Sequence, residues 1–383
     1  MHRERFPGID GHDWARLDGP AGSQVVDRAI DAMADWMRSG HGANSHGAFA
    51  AARETDAQHA RTREVVGELL GADPAAVVTG SSMTSLTMHL SAAVGRTLRP
   101  GDELVCTRLD HDANVAPWLI AAERAGATVR FAEPSDRATL ALSAADVDAV
   151  LTERTRWVAV TAASNAVGTI PDLPGIIAAA HAVGARVFVD AVHHAPHRRL
   201  SVAGLGCDVL ACSPYKWFGP HAGLLVARDP ALLAELDPDK LRPSSDAVPE
   251  RWELGTPAYE SLAGVEAAAR YLLEEVDWAE VRVHEDALLA RMLEGLGALD
   301  AVTLHGDAPD RTPTVMFSVA GHSPRAVAEH LASRRVAVWD GDYYAHELVG
   351  FLGLPEGAVR AGALHYTSPE DVDRLVAGVA ELA

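Results

Sequence analysis

Only two of the chain's 33 basic residues are lysines, Lys216 and Lys240; arginine fills every other cationic position. Arginine cannot be deprotonated at any useful pH, whereas a lysine amine can be made neutral and nucleophilic. Lys216 stands beside the aromatic Tyr215, Trp217 and Phe218, directly after an apolar run at 209–212 and Ser213. A second apolar run at 186–189 ends on Asp190, and His193 follows three residues later. A nucleophilic amine, a carboxylate and hydroxyl donors at the ends of adjacent apolar runs are the groups that carbonyl chemistry on a bound heterocycle requires. The plain alternative is a surface lysine beside a loop.

Four further stretches carry chemistry-bearing residues. Gly80-Ser81-Ser82-Met83-Thr84 joins a short strand to a helix, where free N–H groups and hydroxyls converge on an anion; serine there is also an ordinary helix cap. His111 lies between a strand end and a helix, where open α/β sheets place ligand-facing side chains, or it merely caps that helix. Asn165 and Gly168 sit in AASNAVGTIPDL, a turn that either faces a ligand or only connects. Arg360 sits in a strand-like Val-Arg-Ala-Gly, and its guanidinium can hold a carboxylate with two parallel hydrogen bonds.

The elements that must position these groups alternate along the chain: short apolar runs and amphipathic helical patterns, with no internal repeat. That order predicts an α/β fold with a mainly parallel sheet flanked by helices. Helices are expected at 25–37, 54–70, 173–183 and 325–334, with strands at 75–79, 104–107, 157–161, 186–190, 209–212, 314–319 and 336–338. The Pro- and charge-rich stretch 241–257 reads as the passage between a large domain, 17–250, and a small C-terminal α/β domain, 251–383, packed with an N-terminal arm, 1–16.

The succession Asp190, His193, Pro196-His197, an apolar strand, Ser213-x-x-Lys216 and Gly219-Pro220 resembles the class V aminotransferases, and within them the cysteine desulfurase and selenocysteine lyase branch. The resemblance extends from about Leu17 to the end. It implies a PLP-dependent transferase fold of type I with a seven-stranded sheet, pyridoxal 5'-phosphate as cofactor, and a homodimer. Residue by residue it implies Lys216 as the Schiff-base lysine and the base at Cα, and Asp190 as the partner of the pyridine nitrogen. His111 would stack on the ring, with Asn165 and His193 near the phenolic oxygen. Gly80, Ser81, Ser82, Ser213 and Tyr215 would surround the phosphate, with Thr256 of Gly255-Thr256-Pro257 reaching it from the neighbouring subunit. Arg360 would hold the substrate carboxylate, with Ala21, Asn44 and His46 at the mouth of the substrate site. His197 is expected to be structural. The chain departs from the family in having two serines for Thr-Thr, Tyr215 for a histidine and His193 for a glutamine.

The largest departure concerns cysteine. Desulfurases carry a persulfide-forming cysteine after the strand that here reads VAVW, but this chain continues DGDYYAHELVGFLGL and has no cysteine beyond Cys212. Tyr343 and Tyr344 occupy the loop instead, as pocket-lining groups or as an acid or base, or simply packed at a domain edge. The expected reaction is C–S β-lysis of cysteine or a cysteine S-conjugate to thiol, pyruvate and ammonia. Epimerisation like that of isopenicillin N epimerase relatives, transamination and decarboxylating deamination stay open. A non-enzymatic dimeric scaffold is opposed by the joint presence of Lys216, Asp190, His111 and Arg360.

A formal net charge of −20 over 383 residues argues against nucleic acid or an anionic membrane as partner. No apolar run approaches a membrane span, and MHRERFPGIDGHDW lacks the apolar core of a signal peptide. Cys106, Cys207 and Cys212 are too scattered for a disulfide framework or a metal site. A reducing cytoplasm and a small-molecule amino-acid substrate are the expectation.

Overall fold

A computed structural model describes residues 2–42 and 44–383. Strands β1 (Val77–Gly80), β2 (Glu103–Thr107), β3 (Thr128–Ala132), β4 (Thr155–Thr161), β5 (Arg186–Asp190), β6 (Val209–Cys212) and β7 (Gly223–Ala227) form one sheet in the order β1-β7-β6-β5-β4-β2-β3. Only β7 runs antiparallel to its neighbours. The expected mainly parallel seven-stranded sheet is therefore present.

Its central strands are apolar through their middles because both faces are covered there. On β5, Phe188 packs with Trp118 and Trp157 on one face, while Val187 and Val189 join Ile176 and Ile177 on the other. The edge strand β3 is different. Thr128 and Arg130 are exposed, and Arg130 pairs with Glu103 of β2. It presents no apolar run, only the short alternation of Val129 and Phe131 toward the core with Thr128 and Arg130 toward solvent. β3, β7 and the short strand at 302–305 were not singled out.

Helices α1 (Asp27–Arg38), α2 (Ala50–Leu70), α3 (Met83–Gly95), α4 (Ala116–Ala125) and α5 (Leu173–Ala182) belong to this part of the chain. So does α6 (Tyr259–Glu274), which lies on α1 and α2 and gives Val265, Ala268, Ala269 and Leu272 to the large core. Next comes α7 (Trp278–Gly297), whose Leu288, Met292 and Leu296 enter a separate core. Packing thus changes between α6 and α7, later than the 250/251 division read from composition.

The second core lies under a four-stranded antiparallel sheet of β8 (Val302–His305), β9 (Thr314–Val319), β10 (Trp339–Gly341) and β11 (Ala358–Gly362), ordered β10-β11-β9-β8. Helices α8 (Pro324–Ser333) and α10 (Pro369–Ala380) complete it, whereas α9 (His346–Leu352) gives Leu348 and Val349 to the large core. The N-terminal arm joins the two parts. Ala15–Arg16 pairs parallel with Val336–Ala337, whereas Phe6 is buried against Phe218, Tyr271 and Tyr366. Among the described residues no helix is long and apolar enough to cross a membrane.

Candidate active site

The carboxyl ends of β4, β5 and β6 lie side by side, with Thr161 opposite Asp190 and Asp190 opposite Ala211. Chain leaving these ends delivers Asn165, His193, Ser213, Tyr215 and Lys216 to one cleft, also lined by Ser82, His111 and Asp190. This is where parallel sheets place ligands.

Lys216 is buried, with its amine 5.2 Å from the centroid of the Tyr215 ring. Burial, reinforced by the nearby Arg360 and opposed by Asp190, lowers its pKa to about 7. The amine donates to the carbonyl of Pro20, on the arm. That arm is strapped over the lysine loop. Ser23 Oγ donates to the Tyr215 carbonyl at 3.0 Å and accepts from the Phe218 N–H at 2.8 Å. Sequence reasoning pointed to Ala21 and missed its neighbour; no side-chain signal marks a carbonyl as a contact.

Asp190 is buried and accepts one hydrogen bond, from the Val192 N–H at 2.9 Å. Burial raises its pKa to about 6. No ion pair satisfies it among the described residues, so it has room for a further donor. Asn165, also buried, donates from Nδ2 to the Tyr343 carbonyl at 2.9 Å, while its Oδ1 has no partner. A protonated ring nitrogen at Asp190, and further polar groups at Asn165, suit these vacant hydrogen-bonding positions. The donor set therefore fits pyridoxal phosphate.

His111 caps the short helix Asp112–Asn114, and its Nδ1 accepts from the Ala113 N–H at 3.0 Å. That bond uses the Nδ1 lone pair, and burial lowers the pKa to about 4, so the ring is neutral with its proton on Nε2. His111 thus caps this helix and also lines the cleft. His193 approaches the hydroxyls of Thr312 and Thr314 at 3.2 and 3.0 Å. Burial pushes its pKa down as well. His197 pairs with Glu285 at 2.9 Å within the buried seam between the two cores.

Ser82 acts first as a helix cap. Its Oγ accepts from the Ser85 N–H at 3.1 Å, closing a capping box at the start of α3. Gly223 explains how this loop reaches the sheet: a Cβ there would lie 2.1 Å from the Ser82 carbonyl carbon. Gly168 has φ +77°, the left-handed turn that its residue type permits.

Several residues expected at the site lie apart from the cleft in the single chain. Gly80 and Ser81 do not line it, and Ser81 Oγ instead faces Ser85 Oγ at 3.0 Å. Asn44, His46 and Thr256 are exposed, with the His46 N–H bonded to Asp56. Arg360 is buried on β11 behind the cleft wall, donating from Nη1 to the Asn165 carbonyl at 2.8 Å and leaving Nε without a partner. Tyr343 lies under this guanidinium at 4.5 Å, and its hydroxyl donates to the Ala358 carbonyl. Burial raises the pKa of that phenol further. Tyr343 is thus packed, with its hydroxyl engaged away from the cleft. Tyr344 does not line the cleft; its ring stacks on His111, with centroids 5.3 Å apart. The three cysteines are all buried, and none lines the cleft.

Comparison with known proteins agrees with this arrangement. The family model described as aminotransferase class-V matches residues 15–375. The aminotransferase-like protein FGM3 of Gibberella zeae is 34% identical over 310 residues, spanning 78% of this chain and 77% of that one. A cysteine desulfurase of Pectobacterium atrosepticum is 30% identical over 97% of this chain and 93% of its own length. Among solved structures, the apo cysteine desulfurase of Thermococcus onnurineus superposes with a TM-score of 0.92 at 26% identity, covering 99% of this chain and 96% of that one.

Proposed function

Because the chain belongs to the aminotransferase class-V family of pyridoxal phosphate enzymes, we propose that it is a C–S β-lyase acting on cysteine or a cysteine S-conjugate. One observation carries this reading. The loop that follows β10 touches two cleft-lining residues, Asn165 through the Tyr343 carbonyl and His111 through the Tyr344 ring, and no cysteine lines the cleft to receive sulfur. Sulfur expelled from the substrate must then leave as a thiol.

Pyridoxal phosphate, when bound, supplies the electron sink for the pair left at Cα. Asp190 would pair with the ring nitrogen and keep it protonated, a charge-assisted hydrogen bond strengthened by burial. Arg360, whose Nε has no partner, is proposed for the α-carboxylate, which would limit how Cα presents its bonds; because it stands behind Asn165 in the single chain, reaching the cleft requires its bond to the Asn165 carbonyl to give way. Lys216, with a pKa near 7, takes the Cα proton at neutral pH. The electron pair released at Cα expels the β-thiolate, and Lys216 returns its proton to sulfur. The 2-aminoacrylate product hydrolyses to pyruvate and ammonia.

On the same family grounds we propose a homodimer with Thr256 contributed across the interface, in a cytoplasmic setting. Ala21, Asn44 and His46 are proposed at the mouth of the substrate site, and Ser81 with Ser82, Ser213 and Tyr215 around the phosphate.

The test is incubation of the holoenzyme with L-cysteine and S-substituted cysteines, assaying thiol and pyruvate together and weighing the protein by mass spectrometry. Equimolar thiol and pyruvate with no persulfide adduct is the expected result. Substrate-dependent spectral change without either product rejects β-elimination, and a protein-bound persulfide rejects the lyase in favour of a desulfurase.

A further inference from the structure

A second cleft, of about 490 Å³, shares no lining residue with the cofactor cleft. It lies where the connection between β8 and β9 meets the larger part of the chain. Ala308, Pro309 and Asp310 of that connection form one wall, and the segments 141–143 and 170–174 with His194 form the rest. Backbone bonds tie these walls together. The Ile170 N–H donates to the Asp310 carbonyl at 3.0 Å, the Asp172 N–H to the Leu142 carbonyl at 3.1 Å, and the Asp307 N–H to the Thr139 carbonyl at 3.0 Å.

The lining is mainly apolar, with Leu142, Ile170, Leu173, Leu200 and Leu205. Pro171, Pro174 and Pro309 add flat C–H faces that suit an aromatic ring. Four polar side chains reach the cleft, and three of them are engaged. Ser143 Oγ donates to Asp146 at 2.7 Å. Asp172 caps α5, accepting from the Gly175 N–H at 3.1 Å. Asp310 accepts two hydrogen bonds from Arg198, at 2.6 and 3.0 Å.

His194 is the fourth, and it stands unengaged. The residue is 4% exposed, and neither ring nitrogen has a hydrogen-bond partner among the described residues. Nδ1 is fully enclosed and Nε2 is not, so Nε2 is the nitrogen within reach of the cleft. Burial, reinforced by His197 and Arg198, lowers the pKa to about 3, and the ring is therefore neutral. Buried polar groups are almost always hydrogen-bonded, and one without a partner gains most from a ligand that supplies the bond. The two carboxylates are spent on a helix terminus and a guanidinium, so they hold no cation, yet they repel an anion.

We propose that this cleft binds an uncharged aromatic alcohol, with its hydroxyl on His194 Nε2 and its ring against the three prolines. A hydroxyl both donates and accepts, so it serves either tautomer of the neutral imidazole. The volume falls within the range of small-molecule sites, roughly 300–1,000 Å³. The site is independent of the lyase reading, because no residue assigned to catalysis lines it.

The experiment dialyses the holoenzyme to equilibrium against 2-naphthol, 2-methylnaphthalene and 2-naphthoate, the bound cofactor keeping the other cleft filled. Saturable binding of 2-naphthol is expected, with 2-naphthoate weakest. His194 makes no side-chain bond, so His194→Leu removes none from the fold; it should weaken 2-naphthol about fivefold and leave 2-methylnaphthalene unchanged. Ala141→Trp fills the cleft from a half-buried wall position and should abolish binding of both. In wild-type holoenzyme labelled with 15N-histidine, 2-naphthol should shift the His194 imidazole resonances. No saturable binding of 2-naphthol overturns the proposal, as do unmoved His194 resonances or binding that survives Ala141→Trp. Binding lost in Ala141→Trp but unaffected by His194→Leu overturns the role of His194 and with it the alcohol as ligand class.

Discussion

Tyr344 lies stacked on His111, with ring centroids 5.3 Å apart and planes 27° from parallel. Through this contact a loop of the smaller sheet covers an imidazole held by the larger one. Burial is the main reason His111 titrates near 4 instead of 6.5. Replacing Tyr344 with alanine admits water to the ring, so the pKa of His111 should rise toward its ordinary value. An NMR pH titration of that imidazole measures it. An unmoved midpoint would assign the low pKa to Lys216 and Arg360, the other two causes.

Asp190 trades stability for chemistry. Its carboxyl binds a proton more tightly in the cofactor-free fold, near pH 6, than at its usual 3.8. Ionisation therefore destabilises the fold: the cost is absent below about pH 4, grows between about pH 4 and 6, and is complete above, where it amounts to about 3 kcal/mol. Asp190→Asn removes the ionisation and keeps an acceptor for the Val192 N–H. The cofactor-free variant should be more stable than wild type at pH 8 by up to that amount and equal to it near pH 4, while turnover is lost. Urea unfolding at the two pH values decides; a variant weaker at pH 8 refutes the account.

Ser23 binds the arm to the lysine loop through two hydrogen bonds, to the Tyr215 carbonyl and from the Phe218 N–H. Ser23→Ala leaves the Phe218 N–H without that acceptor, at a cost of about 1–3 kcal/mol. Hydrogen exchange at Phe218 should quicken, while the backbone bonds from the Ser23 N–H to the Tyr215 carbonyl and from the Val26 N–H to the Phe218 carbonyl keep the segment in place. Unchanged protection at Phe218 would mean that the arm does not rely on this serine.

Tyr343→Phe separates packing from acid–base chemistry. The hydroxyl donates to the Ala358 carbonyl, so its loss should lower stability by about 1 kcal/mol while leaving kcat within about twofold. A fall in kcat of a hundredfold or more would restore Tyr343 as a proton-transfer group.

Much of the site was legible because its residues stand at the ends of strands buried on both faces. The runs 187–189 and 209–212 are apolar without interruption, and they mark Asp190 and, just beyond, Lys216. Where burial is one-sided or absent the signal disappears. Edge strand β3 carries Arg130 and Thr128 to solvent, and α6 was assigned to the smaller domain although its apolar stripe packs on α1 and α2.

The sequence alone determined the fold class, the placing of Lys216 and Asp190 at neighbouring strand ends, the family, and the lack of a cysteine after residue 212. These are properties of local pattern and of residue type, which the chain states directly. Tertiary structure alone decided that the Pro20 carbonyl meets Lys216, that Arg360 stands behind Asn165, and that Tyr343 is packed while Tyr344 is presented. Those outcomes depend on backbone groups and on contacts between residues 178 to 196 positions apart. Backbone carbonyls are alike in every residue, and only the folded chain chooses which of them face a buried amine or amide.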